Sequence, residues 1–212
     1  MQPTRAFHDT PPRARTAGTL LGRQRLLAEV GTCLAAGRSV LLAGPEGSGK
    51  SAIIDVLRRP GLLVIDPFAG ITTPHACAIR RALNRGTVAL AATRSLEPRD
   101  MGHIGRIFWR FQMIRVRPLS GRDIARIIQR TLAAGVKTAV RVDRKWMAEA
   151  VDVAAGLPGR AVALACVVAT RWQERQVVLP PRFALVVAWQ ETLVHPVETA
   201  VVRGHGPGES SS

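Results

Sequence analysis

The chain of 212 residues has no tyrosine, five phenylalanines and four tryptophans, which leaves little surface on which the bases of a single nucleic-acid strand could stack. Its three cysteines, at 33, 77 and 166, are odd in number and widely spaced. They fit reduced, packed thiols better than a disulfide framework or a zinc site. The five histidines show no paired metal-ligand spacing. Long hydrophobic runs are also missing: AVALACVVA (161–169) and ALVVAW (184–189) are too short to cross a bilayer as helices, and no secretory segment follows the N-terminus. A cytoplasmic protein with no membrane partner is expected. Acidic side chains number 15 against 30 basic ones, a formal charge of +15. Such a field favours phosphate-rich partners, duplex nucleic acid before single strands, although an arginine-rich composition at solvated positions would give the same figure. Lysine is scarce, with Lys50, Lys137 and Lys145 alone against 27 arginines.

One of those three lysines lies in AGPEGSGKSA (43–52), whose core is G-x-x-x-x-G-K-S. The apolar run SVLLA (39–43) before it reads as a buried strand, and SAIIDVLRR (51–59) after it reads as a helix. Between them, Gly44, Pro45, Glu46, Gly47, Ser48 and Gly49 would curl consecutive backbone N–H groups around a phosphate. Lys50 would reach the β- and γ-phosphates, and the Ser51 hydroxyl would ligate Mg²⁺. A compact ammonium suits that place better than a planar guanidinium, which is why a lysine in so arginine-biased a chain is informative. The pattern predicts a nucleotide and Mg²⁺ as cofactors, with the anion at a helix N-terminus. A glycine-rich surface turn is the alternative.

Along the chain, residues 1–19 lack apolar periodicity and read as a mobile basic arm. Residues 20–37 place Leu26, Leu27, Val30 and Leu34 on one helical stripe that stops at Gly37. GLLVIDP (61–67) reads as a strand ending in Asp66, a carboxylate placed to hold Mg²⁺ through its water shell, or else an ordinary strand-end Asp. Residues 73–86 read as a helix, TVALAATRS (87–95) as a strand, 99–111 as a helix and QMIRVRPLS (112–120) as a strand. This alternation predicts an α/β fold with a parallel sheet covered on both faces, the loop, Asp66 and Thr93 meeting at the carboxyl ends of the strands. Beyond residue 120 the pattern is helical, with a capping box at SGRD (120–123) and a cap at Asp143. The organisation expected is a nucleotide-binding core (20–118), a helical lid (119–176), a C-terminal helix (177–203) with Trp189 and Leu193 inward, and a disordered tail (204–212).

The order of these parts resembles the AAA+ ATPases, most of all the branch of replication initiators, clamp loaders and transposition helpers. The resemblance spans about residues 20–172 and rests chiefly on the phosphate loop. LLGRQRLL is similar to the short motif ahead of the core, LLVIDP to the second phosphate motif and TVALAATRS to the strand ending in a polar sensor. The resemblance implies that Thr93 orients the attacking water, with local hydrogen bonding at a strand end as its alternative. It implies that Arg110, in WRFQMIRVRPLS, reaches a neighbouring subunit's γ-phosphate, although Arg106, Arg110, Arg115 and Arg117 also fit a solvated or DNA-facing strip. In GLPGRAVALA it implies that Arg160 contacts the γ-phosphate from the lid, or else lies in solvent. ATP as the nucleotide, a catalytic set of Lys50, Asp66, Thr93 and Arg110, a homo-oligomer and association with duplex DNA follow as expectations.

Two departures qualify the resemblance. Pro67 stands where the family has the Glu that polarises water, so slow hydrolysis is expected, general-base help being worth about 10²- to 10⁴-fold. Glu97 and Asp100 lie nearby in sequence but not at the matching position. Fifteen residues (51–65) separate Lys50 from Asp66, room for one helix and one strand, so the core is expected to be trimmed to four strands. A non-hydrolysing ATP-binding scaffold that recruits a protein partner is the competing function, and a small-molecule phosphotransferase a weaker one.

Overall fold

The computed structural model describes residues 20–66, 71–97, 107–135, 140–175 and 177–194. Its first half alternates helix and strand: α1 (Gln24–Ala35), β1 (Ser39–Ala43), α2 (Lys50–Leu57), β2 (Leu63–Ile65), α3 (Thr73–Asn84), β3 (Ala89–Thr93) and β4 (Phe111–Arg115). The four strands form one sheet in the order β2-β3-β1-β4, and every pairing is parallel. All five residues of β1 and of β3 are buried, as expected for strands covered on both faces.

Alternation along the strands divides the core in two. Val40, Leu42, Leu90, Ala92 and Ile114 pack with Leu27, Val30 and Leu34 of α1 and Ile53 and Ile54 of α2. Leu41, Ile65, Ala89, Ala91 and Phe111 pack on the opposite face with Ala76 and Ile79 of α3. The α1 stripe is buried as its spacing predicts, with Leu26 half-buried and Cys33 joining it.

The helix expected over 99–111 differs at its described end. Residues 98–106 lie outside the described residues, Phe108–Arg110 form a single 3₁₀ turn, and Phe111 already belongs to β4. Pairing decides this: Phe111 lies opposite Ser39, the first residue of β1, and fills the α3 face of the core.

Four helices follow, α4 (Gly121–Gly135), α5 (Arg144–Ala154), α6 (Pro158–Arg175) and α7 (Pro181–Val194). The Asp123 N–H donates to Ser120 Oγ at 3.2 Å while that hydroxyl donates to Asp123 Oδ2 at 2.7 Å, so the capping residues of α4 are engaged as expected. Asp143 accepts from the Trp146 N–H at 2.6 Å and caps α5. Ile124, Ile128 and Leu132 of α4 meet Ala161, Leu164, Ala165 and Val168 of α6 in one cluster.

Helix α7 shares this cluster through Ala184 and Ala188, and here the inward face differs from expectation. Trp189 is 56% exposed, and the Leu193 side chain lies outside the described part. Facing alanines on α6 and α7 let the two helices approach closely, and an indole in that seam would force them apart. None of the helices among the described residues is long and apolar enough to cross a membrane.

Candidate functional site

Strand β1 ends at Ala43 and helix α2 starts at Lys50, so residues 44–49 form a short loop at the carboxyl edge of the sheet. Gly47 and Gly49 have φ of +76° and +90°, values that side chains with a Cβ disfavour. Gly44 is required for space: a Cβ there would lie 3.0 Å from the Val116 carbonyl oxygen. The Gly44 N–H donates to the Thr93 carbonyl at 3.3 Å, which fastens the loop to the end of β3.

Lys50 Nζ donates to the Gly44 and Pro45 carbonyls at 2.7 and 2.8 Å and stands 3.4 Å from Ser48 Oγ. Its ammonium is therefore held over the loop. Burial lowers its pKa, Asp66 pushes it back up, Arg94 lowers it and Glu46 raises it. Asp66, which follows β2 directly, thus acts on Lys50 across the edge of the sheet. Ser51 is exposed in the first turn of α2. The loop N–H groups and the Lys50 ammonium at a helix N-terminus are donors suited to a nucleotide phosphate, and the Asp66 carboxylate and Ser51 hydroxyl are oxygen ligands suited to Mg²⁺.

Thr93 is 2% exposed at the end of β3, and its hydroxyl donates to the Ser95 carbonyl at 2.7 Å. Next to it, Arg94 pairs with Glu46 of the loop at 3.6 Å, both side chains being largely exposed. The lid meets the loop directly, because the Gly159 N–H donates to the Gly47 carbonyl at 2.7 Å and Pro158 packs 3.4 Å from where a Cβ on Gly49 would stand. Arg160 follows in the same first turn of α6, half-buried, with its guanidinium 5.8 Å from the centroid of the Trp189 ring.

The loop, Asp66, Thr93 and the start of α6 therefore gather at one edge. Arg110 does not join them. It precedes Phe111 at the amino end of β4, exposed, with its guanidinium 5.1 Å from the Trp109 ring centroid. The five residues of β1 separate that edge from its own loop by roughly 15 Å. Pro67, Asp100 and Arg106 lie outside the described residues. Glu97 is exposed, and its N–H donates to Ser95 Oγ at 3.0 Å.

Reading the sequence missed Arg94 and Arg23. Arg94 could have been found from its place after the sensor position. Arg23 sits within the quoted LLGRQRLL, yet nothing in the residue type signals that it is buried.

No protein-family model and no curated protein sequence matches the chain. Solved structures do. The Thermotoga maritima RuvB Holliday junction branch migration motor superposes with a TM-score of 0.55 at 14% identity over 84% of this chain and 72% of that one. S. cerevisiae Hsp104 in its casein complex superposes with a TM-score of 0.54 at 16% identity over 75% of this chain and 39% of that one. S. cerevisiae Hsp104 in its ADP complex gives 0.52 at 19% identity, over 71% and 31%.

Proposed function

The chain has the fold of the AAA+ P-loop ATPases, and on that premise we propose that it is an ATP-binding ATPase or nucleotide switch that works as a homo-oligomer on duplex DNA. The observation that carries this reading is the meeting of the phosphate loop, Asp66, Thr93 and the first turn of α6 at one sheet edge. Gly44 to Ser51 would hold the phosphates, Ser51 and Asp66 the Mg²⁺, and Mg²⁺ would neutralise charge on the phosphate oxygens. Arg160 would add a cation from the lid. The hydroxyl of Thr93 would orient water, exchanging its bond to Ser95.

The position of Arg110 supports assembly. Lying at the edge opposite its own loop, it can serve a nucleotide only in another copy, where its charge would stabilise the transition state. DNA association rests on the +15 charge and on the likeness to a branch-migration motor.

Pro67 in place of the family's Glu favours a second reading, a scaffold that binds ATP without turnover and recruits a protein partner. Steady-state ATP hydrolysis with and without duplex DNA, beside Lys50→Ala and Arg110→Ala, separates the two. DNA-stimulated turnover lost in both variants is expected for the assembled ATPase. Absent turnover, with ATP binding that only Lys50→Ala removes, would replace it with the scaffold.

A further inference from the structure

Arg23 is 6% exposed, and burying a guanidinium is costly unless its N–H groups find acceptors. Nη1 donates to the Arg117 carbonyl at 2.7 Å and Nη2 to the Ser48 carbonyl at 2.8 Å. Among the described residues its Nε is the one buried side-chain nitrogen or oxygen without a hydrogen-bond partner. Burial lowers the pKa of Arg23 and the Asp123 carboxylate raises it again. That carboxylate is pinned by Ser120 at the start of α4. Gly22 makes the approach feasible: its φ is +69°, and a Cβ there would fall 2.8 Å from Asp123 Oδ2. Arg23 thus joins the phosphate loop, the exit of β4 and the cap of the first lid helix.

The Ser48 carbonyl belongs to the loop itself. In a trans peptide the C=O and the following N–H point in opposite directions, so a Ser48 carbonyl held against Arg23 turns the Gly49 N–H away from it. The preceding Gly47 carbonyl is held by the Gly159 N–H. Two consecutive loop peptides are therefore oriented from behind, one by the lid and one by Arg23. A phosphate loop acts through the directions of its N–H groups, so their setting decides how well the anion is met.

Resting on the reading of this loop as a nucleotide site, we propose that Arg23 is a positioning residue for phosphate binding, which sets the Ser48–Gly49 peptide and ties it to the Arg117 segment leading into the lid. It does not touch the nucleotide. Its fork spans two carbonyls, which the single ammonium of lysine cannot do in the same geometry.

The test is calorimetric titration of Mg·ATP into the full chain and its Arg23→Lys, Arg23→Met, Lys50→Ala and Ile128→Ala forms, with the ³¹P resonance of bound ATP recorded for each form that binds. Ile128 is fully buried in the lid core, so its truncation lowers stability without touching the loop. Arg23→Met is expected to weaken binding at least tenfold and Arg23→Lys at least threefold, while Ile128→Ala stays within twofold despite a lower Tm. The β-phosphate resonance should move in Arg23→Lys and stay in place in Ile128→Ala. Should Arg23→Met fail to fold, Arg23→Lys decides alone. Binding within twofold of wild type in the Arg23 variants, or an unmoved resonance, would overturn the positioning role and leave the nucleotide reading intact. A wild-type chain that fails to bind Mg·ATP, indistinguishable from Lys50→Ala, would overturn both.

Discussion

The two edges of the sheet carry the two groups of residues that the proposed ATPase would have to bring together. At the carboxyl edge, glycines, Lys50, Asp66, Thr93 and the first turn of α6 surround the proposed phosphate site; at the amino edge, Arg110 stands exposed beside Trp109. A parallel sheet keeps these edges apart by the length of its strands, so a single copy cannot close its own site with that arginine. Assembly would then be part of the active site rather than a consequence of it.

The sharpest way to break this comparison is to mix two crippled copies. Lys50→Ala spoils the carboxyl edge and should remove turnover, and Arg110→Ala spoils the amino edge and should lower it by about 10³-fold or more, the usual worth of an arginine acting in trans. Mixed in equal amounts, they should regain a measurable fraction of wild-type hydrolysis, because some interfaces then join an intact loop to an intact Arg110. A mixture no faster than its components would place both groups in one copy, or Arg110 outside the reaction.

A second comparison lies within the carboxyl edge, between the sheet that presents the loop and the lid that touches it. Gly159→Ala probes their contact, since the added Cβ would stand 2.7 Å from Gly47 Cα and 3.0 Å from its carbonyl oxygen, both backbone atoms. Overpacking of this kind costs about 1–3 kcal/mol. A Tm lower by about 2–10 °C is expected in a thermal melt for a chain of this size. A shift of under about 1 °C would mean that the lid stands away from the loop at no cost.

These contrasts also explain what could be read from the sequence. The strands were legible because unbroken apolar runs such as SVLLA have few other uses, and the glycine loop between β1 and α2 because its glycines and lysine have fixed spacing. The trimmed four-strand sheet followed from the short interval between Lys50 and Asp66. Partner-dependent features were not legible. Phe111 looks like the end of a helix until its pairing with Ser39 is known, and Trp189 looks like a core residue until Ala184 and Ala188 take the inward face of α7. Arg23 was hidden for the same reason, since only the fold brings the Ser48 and Arg117 carbonyls to it.

The misread side of α7 leads to the smallest expected effect. Trp189 lies on the exposed side of its helix and holds the guanidinium of Arg160 against its ring. If Arg160 serves the γ-phosphate, it must first leave that ring, and a cation–π contact at such an exposed site is worth about 0.5–1 kcal/mol. Removing the ring should therefore ease binding: Trp189→Ala is expected to tighten ATP by about two- to fivefold, the equivalent of that energy, while leaving ADP unchanged. In an Arg160→Ala background the same substitution should do nothing. Competition titrations of ATP against ADP on the four proteins check this. An equal gain for both nucleotides would show that Trp189 obstructs the site as a whole, and weaker ATP binding would show that the ring holds Arg160 ready for use.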